Sequence, residues 1–198
     1  MVKSASNANT AATQPSAEGN PKSQQPTTGK WNILPFHKIK NLLLRINNIH
    51  PLLLVLLAYI AAITLNVITL LIYQELKMDT SNILKPNKEW LKKSLWATSF
   101  LSIILSPWFE TIVFQHVIKK LLNMFNIMHW SFYIFISSAL FGMAHGLDRA
   151  FFLAFNIGLM LGAVYQIRDR PQGNPFYYTW LLHSLNNGIA VGVTVYNL

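Results

Sequence analysis

With 198 residues, 52% hydrophobic and 12% charged, and a mean hydropathy of +0.32, the chain has room for one domain and reads as a polytopic membrane protein rather than a soluble one. The formal net charge of +9 does not point to nucleic acid, because the basic residues are scattered between apolar spans, as in loops flanking membrane helices. The absence of cysteine excludes disulfides, thiol catalysis and Cys-ligated zinc.

Residues 1–30 are rich in Ser, Thr, Asn, Gln, Ala and Pro, with no large apolar residue between Val2 and Trp31. Such a segment buries too little surface to offset its ordering entropy, so a disordered tail is expected. It lacks the apolar core of a secretory signal peptide, and insertion by the first membrane helix is expected instead. Residues 31–50 form a basic amphipathic segment. Helical spacing puts Phe36, Ile39, Leu42, Leu43, Ile46 and Ile49 on one face, with Lys38, Lys40, Asn41, Arg45 and Asn48 on the rest. That pattern suits a helix lying on anionic lipid, or one packed on protein.

Residues 51–198 are expected to form an all-α, membrane-embedded bundle of about five transmembrane helices. The spans are Pro51 to Tyr73, then about 95–118, 128–145, 150–167 and 177–196. Asn174-Pro175 is a helix start, and Gly158 with Gly162 makes a GxxxG that favours close packing. If each span crosses once, the N-terminal side holds ten Lys and Arg residues (3, 22, 30, 38, 40, 45, 119, 120, 168 and 170). The other side holds six (77, 85, 88, 92, 93 and 149), which favours a cytoplasmic N-terminus in the cell membrane.

Glu110 sits in the middle of the second span, where an ionised carboxylate costs ~2.5–3.5 kcal/mol or more. Thr111, Gln115 and His116 follow it, and Pro107 removes the amide that would bond the carbonyl of Ile103 in an α-helix. A kink there would open space beside the carboxylate. Phe141 and His145 are four apart at the end of the third span, flanked by Gly142 and Gly146. His183 and Asn187 are four apart in the fifth, next to a Ser184/Gly188 stripe that favours tight packing. Each feature alone also suits helix-to-helix hydrogen bonding. Together, a carboxylate, two imidazoles and an amide are an inventory for amide hydrolysis: a base and its partner for water, and donors for an oxyanion.

These residues resemble the CPBP family, the CAAX-protease and bacteriocin-processing membrane proteins also called Abi or type II CAAX prenyl endopeptidases. "PWFETIVFQ" aligns with the family's proline followed by EExxxR, Phe141 to His145 with its FxxxH, and His183 to Asn187 with its HxxxN. The ordered triple covers residues 95–198. The resemblance implies an intramembrane endopeptidase in which Glu110 and His145 activate a water while His183 and Asn187 stabilise the oxyanion. It implies membrane lipid and a peptide or protein cut near the membrane face as partners, and no cofactor; zinc on Glu110, His145 and His183 is the alternative. Two positions depart from the pattern: Thr111 stands for the second glutamate and Gln115 for the arginine. Loss of both at once reads as a coupled exchange of a buried charged pair for a neutral Thr/Gln pair. The departures also leave open a non-catalytic relative, such as a bacteriocin self-immunity or membrane-protein-binding protein, and a small transporter or helical scaffold using Glu110 in a proton path is a third reading. A simple zigzag separates Glu110 from His145 across the membrane. Either the third span begins shallower than 128, or residues 145–150 are a break buried in the protein where Asp148 and Arg149 can pair locally; the break is expected.

Overall fold

Long apolar runs separated by short polar, Gly- or Pro-marked breaks give five helices in the computed structural model, which describes residues 48–78, 94–127 and 129–196. Helix α1 is Pro51–Glu75, α2 is Leu95–Met124, α3 is Trp130–His145, α4 is Arg149–Arg168 and α5 is Pro175–Tyr196. No strand occurs among the described residues, so the fold is the all-α bundle expected from the hydropathy pattern. The tail at 1–30 and nearly all of the amphipathic segment at 31–50 lie outside the described residues. Helices α1, α2 and α4 are long and apolar enough to cross a membrane. Helix α3 is shorter, at 16 residues, and α5, at 22, is diluted by Thr179, His183, Ser184, Asn186 and Asn187.

Between lipid-bathed helices an apolar contact gains little over lipid, so close packing and interhelical hydrogen bonds must hold the bundle. Both are present. An added Cβ on Gly158 would stand 2.9 Å from the Ser138 Cα, and one on Gly162 would stand 3.4 Å from the Ile134 Cα. The GxxxG thus seats α4 directly on α3, as its spacing predicts. Asn156 Nδ2 on α4 donates to Asn66 Oδ1 at 3.1 Å and Thr69 Oγ1 at 2.9 Å on α1. Lys119 on α2 is buried in an ion pair with Asp169, just past the end of α4, and its Nζ lies 2.8 Å from Gln166 Oε1. Meanwhile α1 turns Leu52, Leu56, Ile60, Ile63, Val67 and Leu71 outward, a lipid-facing stripe. In the Ser184/Gly188 stripe on α5, Ser184 is buried but Gly188 is not tightly packed. A Cβ on Gly188 would meet only the Ile103 side chain, at an ordinary 3.8 Å, because α5 is tied to α2 by polar bonds instead.

Glu110 and His145 are level, contrary to the zigzag expectation. Helix α2 continues past 118 to Met124, so at 1.5 Å per residue Glu110 stands about 21 Å from that end. His145 stands about 22 Å from the start of α3 at Trp130, on the return path. A break does occur after His145: Gly146 adopts φ 144°, a conformation that favours glycine, and α4 begins at Arg149. It is not buried, since Leu147 is 82% exposed. Nor do Asp148 and Arg149 pair. Asp148 caps α4 by accepting from the Ala150 amide at 3.0 Å, and the Arg149 carbonyl accepts from Tyr73 Oη at 2.9 Å.

Candidate active site

Helix α2 is not uniform: Leu101–Leu105 and Thr111–Val117 are π-helical, on either side of an α-helical turn at Ser106–Glu110. The Ser106 amide reaches back five residues to the Leu101 carbonyl. The next bond in that register would run from residue 107 to the Ser102 carbonyl, but Pro107 has no N–H to give. Ser102 O therefore accepts from Asn187 Nδ2 on α5, at 2.9 Å, and Ile104 O accepts from Trp180 Nε1 at 3.2 Å. The carbonyl freed by proline is thus that of Ser102, not Ile103, because the chain is wound in the wider register.

One turn along, Glu110 faces both histidines. Its Oε2 lies 3.4 Å from His183 Nε2 and 3.6 Å from His145 Nε2, while Oε1 accepts a hydrogen bond from Ser106 Oγ. His145 Nδ1 lies 2.8 Å from the Phe141 carbonyl. A carbonyl only accepts, so Nδ1 carries a proton, which leaves Nε2 as the nitrogen that faces Glu110. The Phe141 ring packs against both imidazoles, with centroids 4.3 Å from His145 and 5.3 Å from His183. The phenylalanine of the FxxxH spacing is therefore a wall that holds both rings. Side-chain exposure falls from 39% at His145 through 21% at Glu110 to 2% at His183. The site opens on the His145 side and is closed behind His183.

Three of the four residues singled out in the sequence, Glu110, His145 and His183, meet at one point. Asn187 lies one helical turn further along α5, with its amide on Ser102 O. Thr111 and Gln115 are both buried, but they do not bond each other as a Thr/Gln pair. Gln115 Oε1 accepts from Tyr133 Oη at 2.8 Å, and Ser137 Oγ lies 2.9 Å from the same oxygen and 2.7 Å from the Phe114 carbonyl, with one proton for the two. Sequence reasoning missed Ser106, though its spacing of four before Glu110 on a helix was a usable signal. Tyr133 and Ser137 carried no such signal, since α3 reads as an ordinary apolar span with polar punctuation. Among the described residues no group of three or more His, Cys, Asp or Glu is disposed to hold a metal ion.

Residues 92–189, which contain all four of these positions, match the family model described as type II CAAX prenyl endopeptidase Rce1-like. The chain belongs to this family. No curated protein and no solved structure matches it. Membership agrees with a membrane-integral endopeptidase fold, and the three apolar helices long enough to cross a bilayer fit it. Within the matched range, Glu110 is the residue that the bundle surrounds with two imidazoles.

Proposed function

We propose that this protein is an intramembrane endopeptidase that cleaves a peptide bond near the membrane face, using Glu110 as the base for a water. The observation that carries the reading is the placement of Glu110 Oε2 3.4 Å and 3.6 Å from the Nε2 atoms of two histidines on two other helices. Both separations exceed the usual hydrogen-bond length of about 2.9 Å, which suits groups that share a third partner rather than bond each other. A water accepted between Glu110 and the His145 Nε2 lone pair gives its proton to the carboxylate as its oxygen attacks the scissile carbonyl. The carbonyl oxygen becomes an oxyanion, which takes donors from His183 Nε2–H and from the second Asn187 N–H, the first being used at Ser102 O. Glu110 then passes the proton to the departing amine as the C–N bond breaks. The scheme uses no metal or other cofactor.

The substrate class that fits is a membrane-anchored peptide or protein tail, entering from the exposed His145 side. The excess of basic residues on one side of the spans supports a cytoplasmic N-terminus in the cell membrane. The test compares wild type with Glu110→Gln at matched membrane expression, following membrane peptides by mass spectrometry. Loss of a processed terminus only in the variant supports catalysis and names the substrate. Identical profiles with a surviving phenotype refute it and leave the binding or immunity role.

A further inference from the structure

Several helical hydroxyls in this protein turn back on their own helix. Thr64, Thr69, Ser138 and Thr194 each donate to the carbonyl four residues earlier, at 2.9, 2.9, 2.6 and 2.8 Å. Thr111 and Thr179 do not. Both are buried, at 1% and 0% exposure, and neither hydroxyl has a hydrogen-bond partner. Gln115 Nε2 and His183 Nδ1 are also unpartnered, on side chains as deeply enclosed. Native proteins rarely leave such groups unmet, and these four lie on the stretches of α2 and α5 next to Glu110 and His183.

The helix register places these residues on neighbouring stretches of α2 and α5. The Glu110–His183 approach at 3.4 Å and the Asn187–Ser102 bond at 2.9 Å run α2 and α5 antiparallel. Moving from Glu110 and His183 toward the Lys119 end, α2 presents Thr111 and Gln115, four apart, and α5 presents Thr179, four before His183. Tyr133 Oη on α3, donating at 2.8 Å, fixes the oxygen end of Gln115 and leaves its Nε2 as the free end.

We infer that Thr111, Gln115, Thr179 and His183 Nδ1 build an internal water site between α2 and α5, on the closed side of the Glu110 cluster. A buried water makes about three hydrogen bonds. Here the Gln115 amide donates to it, the two hydroxyls can donate or accept, and the water donates to His183 Nδ1. With Nδ1 held as an acceptor, the ring proton sits on Nε2, the nitrogen that faces Glu110. Thr111, Gln115 and Thr179 are thus positioning residues that set which nitrogen of His183 is a donor. The catalytic consequence rests on the reading of His183 as an oxyanion donor; the water site itself does not.

The test is nuclear magnetic resonance of the full chain in lipid nanodiscs, with ¹⁵N-labelled histidine and the His183 signals assigned by their loss in His183→Gln. The wild type is expected to show an unprotonated, hydrogen-bonded Nδ1 with a cross-peak to water. Thr179→Val, nearly isosteric, is expected to shift the Nδ1 resonance and lose the cross-peak, whereas Thr179→Ser keeps both. A protonated Nδ1, an absent water cross-peak in wild type, or a Thr179→Val spectrum matching wild type overturns the inference. Because none of these signals requires turnover, they stand or fall apart from the Glu110→Gln cleavage test. Water signals in a chain shown not to cleave would support the site while removing the endopeptidase reading.

Discussion

Pro107, the Ser102 carbonyl and Asn187 form a chain of cause that a double-mutant cycle can test. Proline withholds the N–H that the π-register would send to Ser102 O, and the Asn187 amide replaces it at 2.9 Å from another helix. Asn187→Ala leaves that carbonyl without a donor. Interhelical hydrogen bonds in membranes average ~0.6 kcal/mol with a maximum near 1.7, while a buried orphan group costs ~1–3 kcal/mol. A loss of about 1 kcal/mol is therefore expected for this partly buried bond, or about fivefold in the folded-to-unfolded ratio. In a Pro107→Ala background the backbone recovers an N–H for Ser102 O, so Asn187→Ala is expected to cost close to nothing. The coupling is then about 1 kcal/mol, and the small void left at residue 107 cancels because it is present in both arms. Reversible unfolding in mixed detergent micelles measures it. Equal cost of Asn187→Ala in both backgrounds would refute the assignment of the freed carbonyl to Ser102.

The same four proteins separate two roles of Asn187. If its second N–H serves the oxyanion, Asn187→Ala lowers the cleavage rate about 10²–10³-fold, and restoring stability through Pro107→Ala does not restore the rate. Recovery of rate along with stability would make Asn187 a tether only.

Gly158→Val is expected to destabilise the bundle by about 1–3 kcal/mol, because its first added carbon already lies 2.9 Å from the Ser138 Cα; melting in detergent measures this. Gln115→Arg alone is expected to cost about 3–5 kcal/mol by burying an unpaired guanidinium where Tyr133 and Ser137 now bond a neutral amide. Adding Thr111→Glu to it is expected to recover most of that loss, and a double variant no more stable than the single would show that the two positions are not coupled. Cleavage by the purified protein is expected to persist in metal chelators; loss of activity restored by added zinc would replace the carboxylate-base scheme with a metal one.

The helices were legible because membrane spans are written in runs of apolar residues, and Glu110, His145 and His183 as site candidates because ionisable groups are rare in such runs. Depth was misread. A basic pair such as Lys119 and Lys120 normally marks a span boundary, yet Lys119 is buried against Asp169, and the helix continues past it. Six further residues and the short α3 bring His145 back to the level of Glu110. The register of α2 was equally hidden, because a proline announces a missing hydrogen bond without saying which carbonyl loses it. Pairing of Gln115 with α3 could not be read either, since it depends on Tyr133 and Ser137 arriving opposite it in three dimensions.

A carboxylate at membrane depth is tolerated here for reasons that differ on its two oxygens. Oε1 is met by Ser106 one turn back on the same helix, a local bond that needs no other part of the fold. Oε2 has no such bond and faces two imidazoles from α3 and α5, at separations too long for either to satisfy it fully. A structural glutamate would be expected to close those gaps, since each tenth of an ångström gained strengthens the contact. Instead the Phe141 ring sets the orientation of both histidines, and His145 is drawn back by its own bond to the Phe141 carbonyl. One oxygen is anchored and the other held slightly apart from two rings, beside an opening on the His145 side. That asymmetry is what a base needs, because only an oxygen that is not already satisfied can take a proton from water.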